Sequence, residues 1–307
     1  MIKFLQQLII IVFSLSIVGC STQKLFNIIV GLERGRADLE AKSIELEFGK
    51  ITYLDNNIES DTTIVLLHGF GGDKDNWNRF SAELDDTYRI IIPDLPGHGE
   101  SVSNIKLDYS TAHQSKMLST FLDAINVKKI HIAGNSMGGA IAIRYSIANV
   151  EKVNSLALID SLGMKKTKSE FDLILEKSGL NPMINICTEE AFNKLLYLGM
   201  NEPPYIPEIF MDILVSRKCE RADIERKIYE EMIKDSNLDH IVKNITVPTI
   251  IIWGKKDRVL HVDNAELFHN AINGSKLVLF EKLGHVSILE DPVKSAQLIE
   301  KFIKENE

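Results

Sequence analysis

Residues 130–143 read IHIAGNSMGGAIAI, in which an apolar run ends at a serine between glycines, and small and apolar residues follow. The run predicts a buried strand, and the residues after the serine predict a helix. Gly134 and Gly138 remove the side chains that would clash in the tight turn between these two elements. Ser136 would project from this turn beside the N-terminus of the helix, where developing negative charge is stabilised. The pattern therefore indicates a nucleophilic serine on a strand-to-helix turn.

Strand-like and helical runs alternate on both sides of this turn. The later strand-like runs are continuous and apolar, as in strands covered by helices on both faces. Such an alternation favours an α/β fold with a mostly parallel, eight-stranded sheet that begins with an antiparallel pair. We predict strands at 44–48, 51–54, 63–67, 89–92, 129–133, 153–159, 249–253 and 276–280, and helices at 75–86, 109–126, 137–149, 262–273 and 291–306.

The alternation stops between residues 161 and 240, where helical patterns at 170–178 and 206–232 occur without convincing strands. Loops at the carboxyl edge of a parallel sheet line the ligand site in folds of this kind. We therefore predict that residues 161–240 form a helical cap over the site. The cap would separate a first part of the core at 43–160 from a second part at 241–307.

Two further residue types are needed to activate the serine. A histidine must take its proton, and an acid must hold that histidine in the right tautomer. Of the eight histidines, only His285 lies in a loop past the last predicted strand, at the end of the sheet where Ser136 is expected. Asp257 follows the strand before it and completes the chain order Ser, Asp, His. We predict Ser136, Asp257 and His285 as the catalytic residues, with Asp160, at the end of an earlier strand, as the alternative acid.

A glycine-rich turn at residues 68–72, HGFGG, follows a buried strand and is a candidate oxyanion site. Its glycines allow the backbone to turn back, so that the N–H of Phe70 can converge with the N–H of Met137 on a developing negative charge. The turn lacks the Lys-Ser/Thr ending of a phosphate-binding P-loop. His68 and His98 lie in turns near the site, and we predict that each has a structural role or supports the reacting residues without reacting itself.

The first twenty residues differ from the rest of the chain. Lys3 precedes a mostly apolar run at 4–18, which ends in Gly19-Cys20. This pattern is typical of an export signal, and the run is shorter than the ~20 residues of a spanning helix. We predict a signal peptide at 1–19 and an anchor-proximal helix or linker at 20–42, where Leu25, Ile28, Ile29 and Leu32 have helical spacing.

The charge of the chain excludes one class of partner, and its cysteines allow a disulfide. The net charge of −8 and the pI near 5.6 argue against a nucleic-acid partner. We expect no metal and no cofactor, and we expect a monomer. Cys187 and Cys219 both lie in the predicted cap, and in an exported protein they could pair, although the sequence leaves this open.

Five motifs occur in the order found in α/β-hydrolases, and together they span about residues 43–305: HGFGG at 68–72, DLPGHGES at 94–101, GNSMGG at 134–139, WGKKD at 253–257, and Gly284-His285. The chain more closely resembles the lipoprotein-like, cold-adapted bacterial triacylglycerol lipases, which share the signal ending near Gly-Cys, HGFGGDKDN at 68–76 and PPYIP at 203–207. The resemblance implies hydrolysis of carboxylic esters on Ser136, with Asp257 and His285, and with Phe70 and Met137 as oxyanion donors. It also implies acylation of Cys20 and, because Ser21 follows, an outer-membrane location.

Two other functions are compatible with this scaffold, because a fold alone does not name a substrate. Hydrolases that cleave carbon–carbon bonds of ring-fission products also carry GNSMGG. They usually have His-Gly-Ser-Gly-Pro-Gly where this chain has HGFGG, and they lack an export signal. A non-catalytic envelope lipoprotein on a hydrolase scaffold would be expected to have lost at least one of the residues identified above. We therefore expect a lipase or esterase.

Overall fold

An eight-stranded sheet forms the centre of the protein in a computed structural model that describes residues 22–307. The strands are β1 (Glu40–Leu46), β2 (Gly49–Asp55), β3 (Thr63–Leu67), β4 (Arg89–Pro93), β5 (Ile130–Asn135), β6 (Val153–Ile159), β7 (Thr249–Gly254) and β8 (Lys276–Phe280). Their order in the sheet is β1-β2-β4-β3-β5-β6-β7-β8. The predicted signal peptide at 1–19 and Cys20 lie outside the described residues.

The pairing of the strands confirms the predicted α/β fold. β1 and β2 form an antiparallel hairpin, β2 pairs antiparallel with β4, and all later neighbours are parallel. Every residue of β3, β5 and β7 is buried, as expected for strands covered on both faces. Because the carboxyl ends of parallel strands share one edge of the sheet, the segments after β3, β5, β6, β7 and β8 meet there.

Helices connect and cover these strands. They are α1 (Thr22–Gly35), α2 (Asn78–Ser81), α3 (Thr111–Ala124), α4 (Met137–Ala148), α5 (Glu170–Ser178), α6 (Glu189–Gly199), α7 (Glu208–Glu220), α8 (Ala222–Lys234), α9 (Asp239–Val242), α10 (Asp263–Ala271), α11 (Ser287–Glu290) and α12 (Pro292–Lys304). The start of α12 follows from its sequence, since Pro292 occupies the first turn and the Asp291 carboxylate accepts a hydrogen bond from the Lys294 N–H.

Two predicted helices differ from those observed. The segment predicted as one helix at 75–86 is a 3-10 turn at Lys74–Trp77 followed by the single-turn α2. The Asp73 side chain caps this turn by accepting a hydrogen bond from the Asp75 N–H, and it forms a capping box with Asn76. These bonds hold the first residues in a 3-10 turn. The helical pattern at 206–232 corresponds to two helices, α7 and α8, which are separated at Arg221. The Arg221 guanidinium donates hydrogen bonds to the carbonyl oxygens of Gly97 and Gly99.

Five helices, α5 to α9, lie between β6 and β7, where the sequence predicts the cap. Apolar side chains on and next to α6 and α7 form a small separate cluster around Ile186, Phe192 and Met211, whereas those of α8 and α9 pack in the main core. A disulfide joins Cys187, just before α6, to Cys219, near the end of α7, and this decides the pairing that the sequence left open. The disulfide ties the two helices together where their shared apolar cluster is small.

We expect this disulfide to stabilise the segment, because it closes a loop with a sequence separation of 32 residues. Replacing both cysteines, as Cys187→Ser with Cys219→Ser, should lower the free energy of unfolding by about 2–4 kcal/mol. Urea denaturation of the two proteins measures this difference. A reductant should lower the midpoint of the unchanged protein and leave that of the double variant in place. Equal midpoints for the oxidised protein and the double variant would contradict the expectation.

Candidate active site

Ser136 lies between the last residue of β5 and the first residue of α4 and has φ 54°, a value that few non-glycine residues adopt. The turn requires glycines on both sides. A Cβ on Gly134 would lie 2.3 Å from the Gly138 carbonyl oxygen, and one on Gly138 would lie 2.4 Å from that of Leu67. The structure thus gives the turn the form that the sequence predicts, with the Ser136 side chain partly exposed at the helix N-terminus.

The glycine-rich turn after β3 packs directly against Ser136. A Cβ on Gly69 would lie 3.2 Å from the Ser136 Cβ, which is tighter than most Cβ contacts, so the backbone of the turn lies close to the serine. Among the described residues, neither the Phe70 N–H nor the Met137 N–H donates a hydrogen bond. Two free amide donors beside a serine are what an oxyanion site needs. Their role in catalysis remains a prediction.

His285 and Asp257 are in direct contact. The imidazole Nδ1 lies 2.8 Å from the Asp257 Oδ2, and both side chains are almost completely buried. The other carboxylate oxygen, Oδ1, accepts hydrogen bonds from the N–H groups of Val259 and Leu260 at 2.8 and 2.9 Å. Because the backbone holds Oδ1, Oδ2 is directed at the imidazole. An acid in this position fixes Nδ1 as the protonated nitrogen and leaves Nε2 free as a base.

The alternative acid, Asp160, does not contact His285. Its Oδ1 accepts the Gly254 N–H at 2.8 Å, and its Oδ2 bonds the Ser287 hydroxyl at 3.1 Å. Complete burial raises the pKa of Asp160, and the neighbouring charge of Asp257 raises it further. A carboxyl that resists ionisation is poorly suited to stabilise an imidazolium. Asp160 instead holds together the ends of the elements that carry Asp257 and His285.

The loop that carries His285 is tied to the residue before the nucleophile. The Asn135 side-chain amide donates to the carbonyl oxygens of His285 and Ile159, at 3.1 and 3.2 Å. A Cβ on Gly254 would lie 2.1 Å from the Gly284 carbonyl oxygen, so the His285 loop also packs on the end of β7. The hydrogen bonds of residues 22–307 include no direct bond between the Ser136 hydroxyl and the imidazole. Such bonds are often long before substrate binds.

His68 has the structural role that we predicted, and its bonds assign its tautomer. The Leu95 N–H donates to Nε2 at 3.0 Å, so Nε2 carries no proton. The proton is then on Nδ1, which lies 2.8 Å from the Gly69 carbonyl oxygen and donates to it. Burial lowers the pKa of His68 and keeps the ring neutral. The neutral ring therefore joins the Gly69-Phe70 turn to the loop after β4.

His98, in that loop, is also buried, and its ring lies edge-on to His68 with the ring centroids 5.0 Å apart. Burial lowers the pKa of His98 well below the ordinary imidazole value, and a positive charge on His68 would lower it further. Its Nδ1 lies 3.2 Å from the Pro96 carbonyl oxygen. Two neutral imidazoles therefore pack against each other, and the Phe70 ring packs edge-on against that of His98.

We expect these two imidazoles to make the protein less stable as the pH falls below about 6.5, the ordinary pKa of histidine. The folded-state pKa values lie below that of the unfolded chain, so the unfolded chain binds more protons in this range. The free energy of unfolding then falls by up to about 1.4 kcal/mol per pH unit for each group. Urea denaturation from about pH 7.5 to about pH 5 measures this slope. The slope should be shallower in His98→Gln, and an unchanged slope would contradict the assignment.

A buried ion pair, which our sequence analysis missed, supports the same loop. Lys74 is 2% exposed, and its ammonium lies 2.8 Å from the Asp94 Oδ2. Asp94 also accepts the backbone N–H groups of Lys74 and Glu100. Burial alone would lower the pKa of Lys74, but the charge of Asp94 raises it. The occurrence of both residues within motifs of the family, at 68–76 and 94–101, was the available signal.

The predicted cap contacts the site through charged side chains. The Lys218 ammonium lies 2.7 Å from where a Cβ on Gly71 would be, and it pairs with Glu225 at 2.6 Å. Burial raises the pKa of Glu225, and Lys218 opposes this. On the opposite side, the Arg258 guanidinium, next to Asp257, donates to the carbonyl oxygens of Tyr197 and Met200. Helices α6 to α8 are thus attached to the loops on both sides of Ser136.

The structure brings the predicted base and acid into contact and holds their loop beside the predicted nucleophile. Within residues 22–307, no group of three or more His, Cys, Asp or Glu side chains could hold a metal ion.

Known proteins are similar to this chain along almost its whole length. A family model for the alpha/beta hydrolase fold matches residues 62–181. Lipase 1 of Psychrobacter immobilis is 34% identical over 295 residues, which covers 91% of this chain and 90% of that protein. The crystal structure of a membrane phospholipase A, a bacterial virulence factor, has a TM-score of 0.88, 34% identity and 99% coverage of each chain. A putative lipase from Acinetobacter baumannii AYE has a TM-score of 0.84 and 31% identity, covering 94% of this chain and 97% of that one.

Proposed function

Because this chain belongs to the α/β-hydrolase family and is an ester hydrolase of the lipase type, we propose that it cleaves fatty-acyl esters through an acyl-enzyme formed on Ser136. The observation that carries this mechanism is the 2.8 Å contact between His285 Nδ1 and Asp257 Oδ2. The Asn135 side chain holds the loop that carries His285 beside the serine, through a hydrogen bond to the His285 carbonyl oxygen. The carbon–carbon hydrolase and the non-catalytic lipoprotein are less well supported than a lipase, given the lipase relatives.

In the acylation step, His285 Nε2 takes the proton of the Ser136 hydroxyl, and the Ser136 oxygen forms a bond to the ester carbonyl carbon. The carbonyl oxygen becomes negatively charged and accepts hydrogen bonds from the N–H groups of Phe70 and Met137. His285 then gives its proton to the leaving oxygen, and the alcohol departs. Asp257 stabilises the imidazolium in between without taking its proton.

In the second step, His285 takes a proton from water, whose oxygen attacks the acyl carbon bound to Ser136. The same two amides stabilise the second tetrahedral intermediate, and its collapse releases the fatty acid as the proton returns to the Ser136 oxygen. Loss of one oxyanion donor typically lowers the rate by about 10² to 10³-fold. The tight packing of Gly69 and Gly138 is what holds both donors in place.

The proposed substrates are acylglycerols and other lipid esters. Support comes from Lipase 1 of Psychrobacter immobilis and from the membrane phospholipase A, whose names describe lipid esters as their substrates. We also propose that the chain is exported and anchored to the cell envelope through acylated Cys20, with the outer membrane as its destination. The apolar run at 4–18 that ends in Gly19-Cys20 supports this location.

A fluorophosphonate probe tests the proposed mechanism most directly, since it reacts with serines that a base activates. We expect one labelled peptide, the one that contains Ser136, and hydrolysis of p-nitrophenyl esters that stops in proportion to labelling. Rates on esters with short and long acyl chains, with and without an emulsion, then separate an esterase from a lipase. An unlabelled protein, or labelling at another residue with activity retained, would overturn the proposal.

A further inference from the structure

Helix α1 rests against both the core and the predicted cap. The Arg34 guanidinium binds both oxygens of Asp75 at 2.6 and 2.7 Å, immediately after the glycine-rich turn of the site. The Phe26 ring meets Phe210 of α7 edge-on, with the centroids 5.6 Å apart, and the Arg217 guanidinium lies 4.6 Å from the Phe26 ring centroid. One side of α1 is therefore held by the protein.

A second side of α1 is apolar and exposed. At about 3.6 residues per turn, Leu25, Ile28, Ile29 and Leu32 fall on one side of the helix. Their exposed fractions are 37%, 53%, 38% and 67%. We name these four residues the apolar stripe. The polar residues Lys24 and Asn27 lie on the third side, and α1 has no fully buried residue. Four large exposed aliphatic side chains in a row indicate an interaction surface.

The cap also has large apolar side chains that are exposed. Ile209 and Tyr205 are 56% and 88% exposed. Ile209 lies next to Phe210, the residue of α7 that contacts Phe26 of α1. Large apolar side chains are thus exposed on both partners of this helix–helix contact.

We propose that the apolar stripe of α1 docks on the surface of a lipid bilayer, as a second membrane contact in addition to the proposed anchor. The sequence before α1 is mostly apolar from residue 4 to 18, and Cys20 follows two residues before the helix begins. A membrane that receives this part of the chain therefore lies beside the stripe. Amphipathic helices of this kind lie in the interface with the apolar side among the acyl chains.

Within residues 22–307, no helix combines the length and the apolar character needed to cross a bilayer, so α1 would lie along the surface. Because α1 binds Asp75 on the core and Phe210 on the cap, docking would hold both in one orientation on the membrane. Lipid esters would then reach the site from the bilayer on which the protein sits. The proposal rests on the proposed membrane location and on lipid esters as substrates, but the test below does not require hydrolysis.

The test places an indole on each side of α1 in the full-length chain, in a Ser136→Ala background so that lipids are not hydrolysed. Leu32→Trp puts it in the apolar stripe, and Asn27→Trp puts it on the polar side. Both proteins are reconstituted in phosphatidylcholine vesicles with brominated acyl chains, which quench indoles that reach them. Trp77 and Trp253 are completely buried and provide a constant background.

We expect about twofold quenching of the indole at position 32 and little quenching at position 27, because the interface buries only the apolar side. Equal and weak quenching at both positions would overturn the proposal, since another protein surface would then cover the stripe. A second copy of this chain is one such surface, and a dimer in analytical ultracentrifugation would identify it. Failure of the protein to bind the vesicles would also overturn it.

A second measurement separates this surface from the catalytic site. Ile28→Asn with Leu32→Asn, in the chain with Ser136 intact, should lower hydrolysis of long-chain acylglycerols in vesicles by about tenfold and leave the soluble p-nitrophenyl butyrate rate unchanged. Asn27→Gln, on the polar side, is the matched control. An unchanged vesicle rate would count against the docking surface. If the unsubstituted protein hydrolyses neither the acylglycerols nor p-nitrophenyl butyrate, that result would instead count against the proposed function.

Discussion

Ser136→Ala should lower kcat/KM for ester hydrolysis by at least about 10⁴-fold, because removing the nucleophile leaves only the oxyanion site and binding. The change should cost little stability. Among the described residues, the Ser136 hydroxyl makes no hydrogen bond, and alanine removes only that hydroxyl. Steady-state rates on p-nitrophenyl butyrate, with a urea denaturation of each protein, measure both effects.

Ser146→Ala provides a matched control for this experiment. Ser146 lies on α4, the helix that begins after Ser136, and it is buried with no hydrogen-bond partner for its hydroxyl among residues 22–307. The substitution thus removes a serine hydroxyl from the same helix without breaking a bond, and kcat/KM should stay within about twofold. Retention of full turnover by Ser136→Ala would refute the proposed acyl-enzyme.

Asp257→Asn should lower kcat by about 10³ to 10⁴-fold through the tautomer of His285. The N–H groups of Val259 and Leu260 donate to the Oδ1 of Asp257, so the asparagine would keep its oxygen there. Its NH₂ group would then face His285 Nδ1. Because an amide NH₂ only donates hydrogen bonds, Nδ1 would have to accept one and could not carry the proton. The imidazole proton would move to Nε2, and the base would be blocked. Single-turnover rates of acylation measure this loss.

The rival acid gives the control for this second prediction. Asp160→Asn changes a carboxyl that bonds the Gly254 N–H and the Ser287 hydroxyl but does not touch the imidazole. We expect a loss of about 1–2 kcal/mol in the free energy of unfolding and a kcat within about tenfold of the unchanged protein. A larger loss of kcat in Asp160→Asn than in Asp257→Asn would reverse the assignment.

Much of the fold could be predicted from the sequence because its signals are local. Each strand of the sheet is a run of five to seven residues with its own apolar or alternating pattern. The turn at Ser136 likewise can be predicted from Gly134 and Gly138, one on each side of the serine. The start of α12 can be predicted from Asp291 and Pro292. The single helix predicted at 75–86 was wrong because the cap at Asp73 starts a tighter turn, which periodicity alone does not reveal.

The site was predictable as residue types and chain order, while its pairings were not. The sequence by itself determined an α/β sheet, a serine on a strand-to-helix turn, and a histidine and an acid at the same edge. Only the tertiary structure decided that Oδ2 of Asp257, and not Asp160, meets His285, and that Asn135 holds the His285 loop across 150 residues of sequence. The physical reason is that strand and turn patterns arise from neighbouring residues. A hydrogen bond between distant side chains depends on distances and angles that only the packing of the whole chain sets.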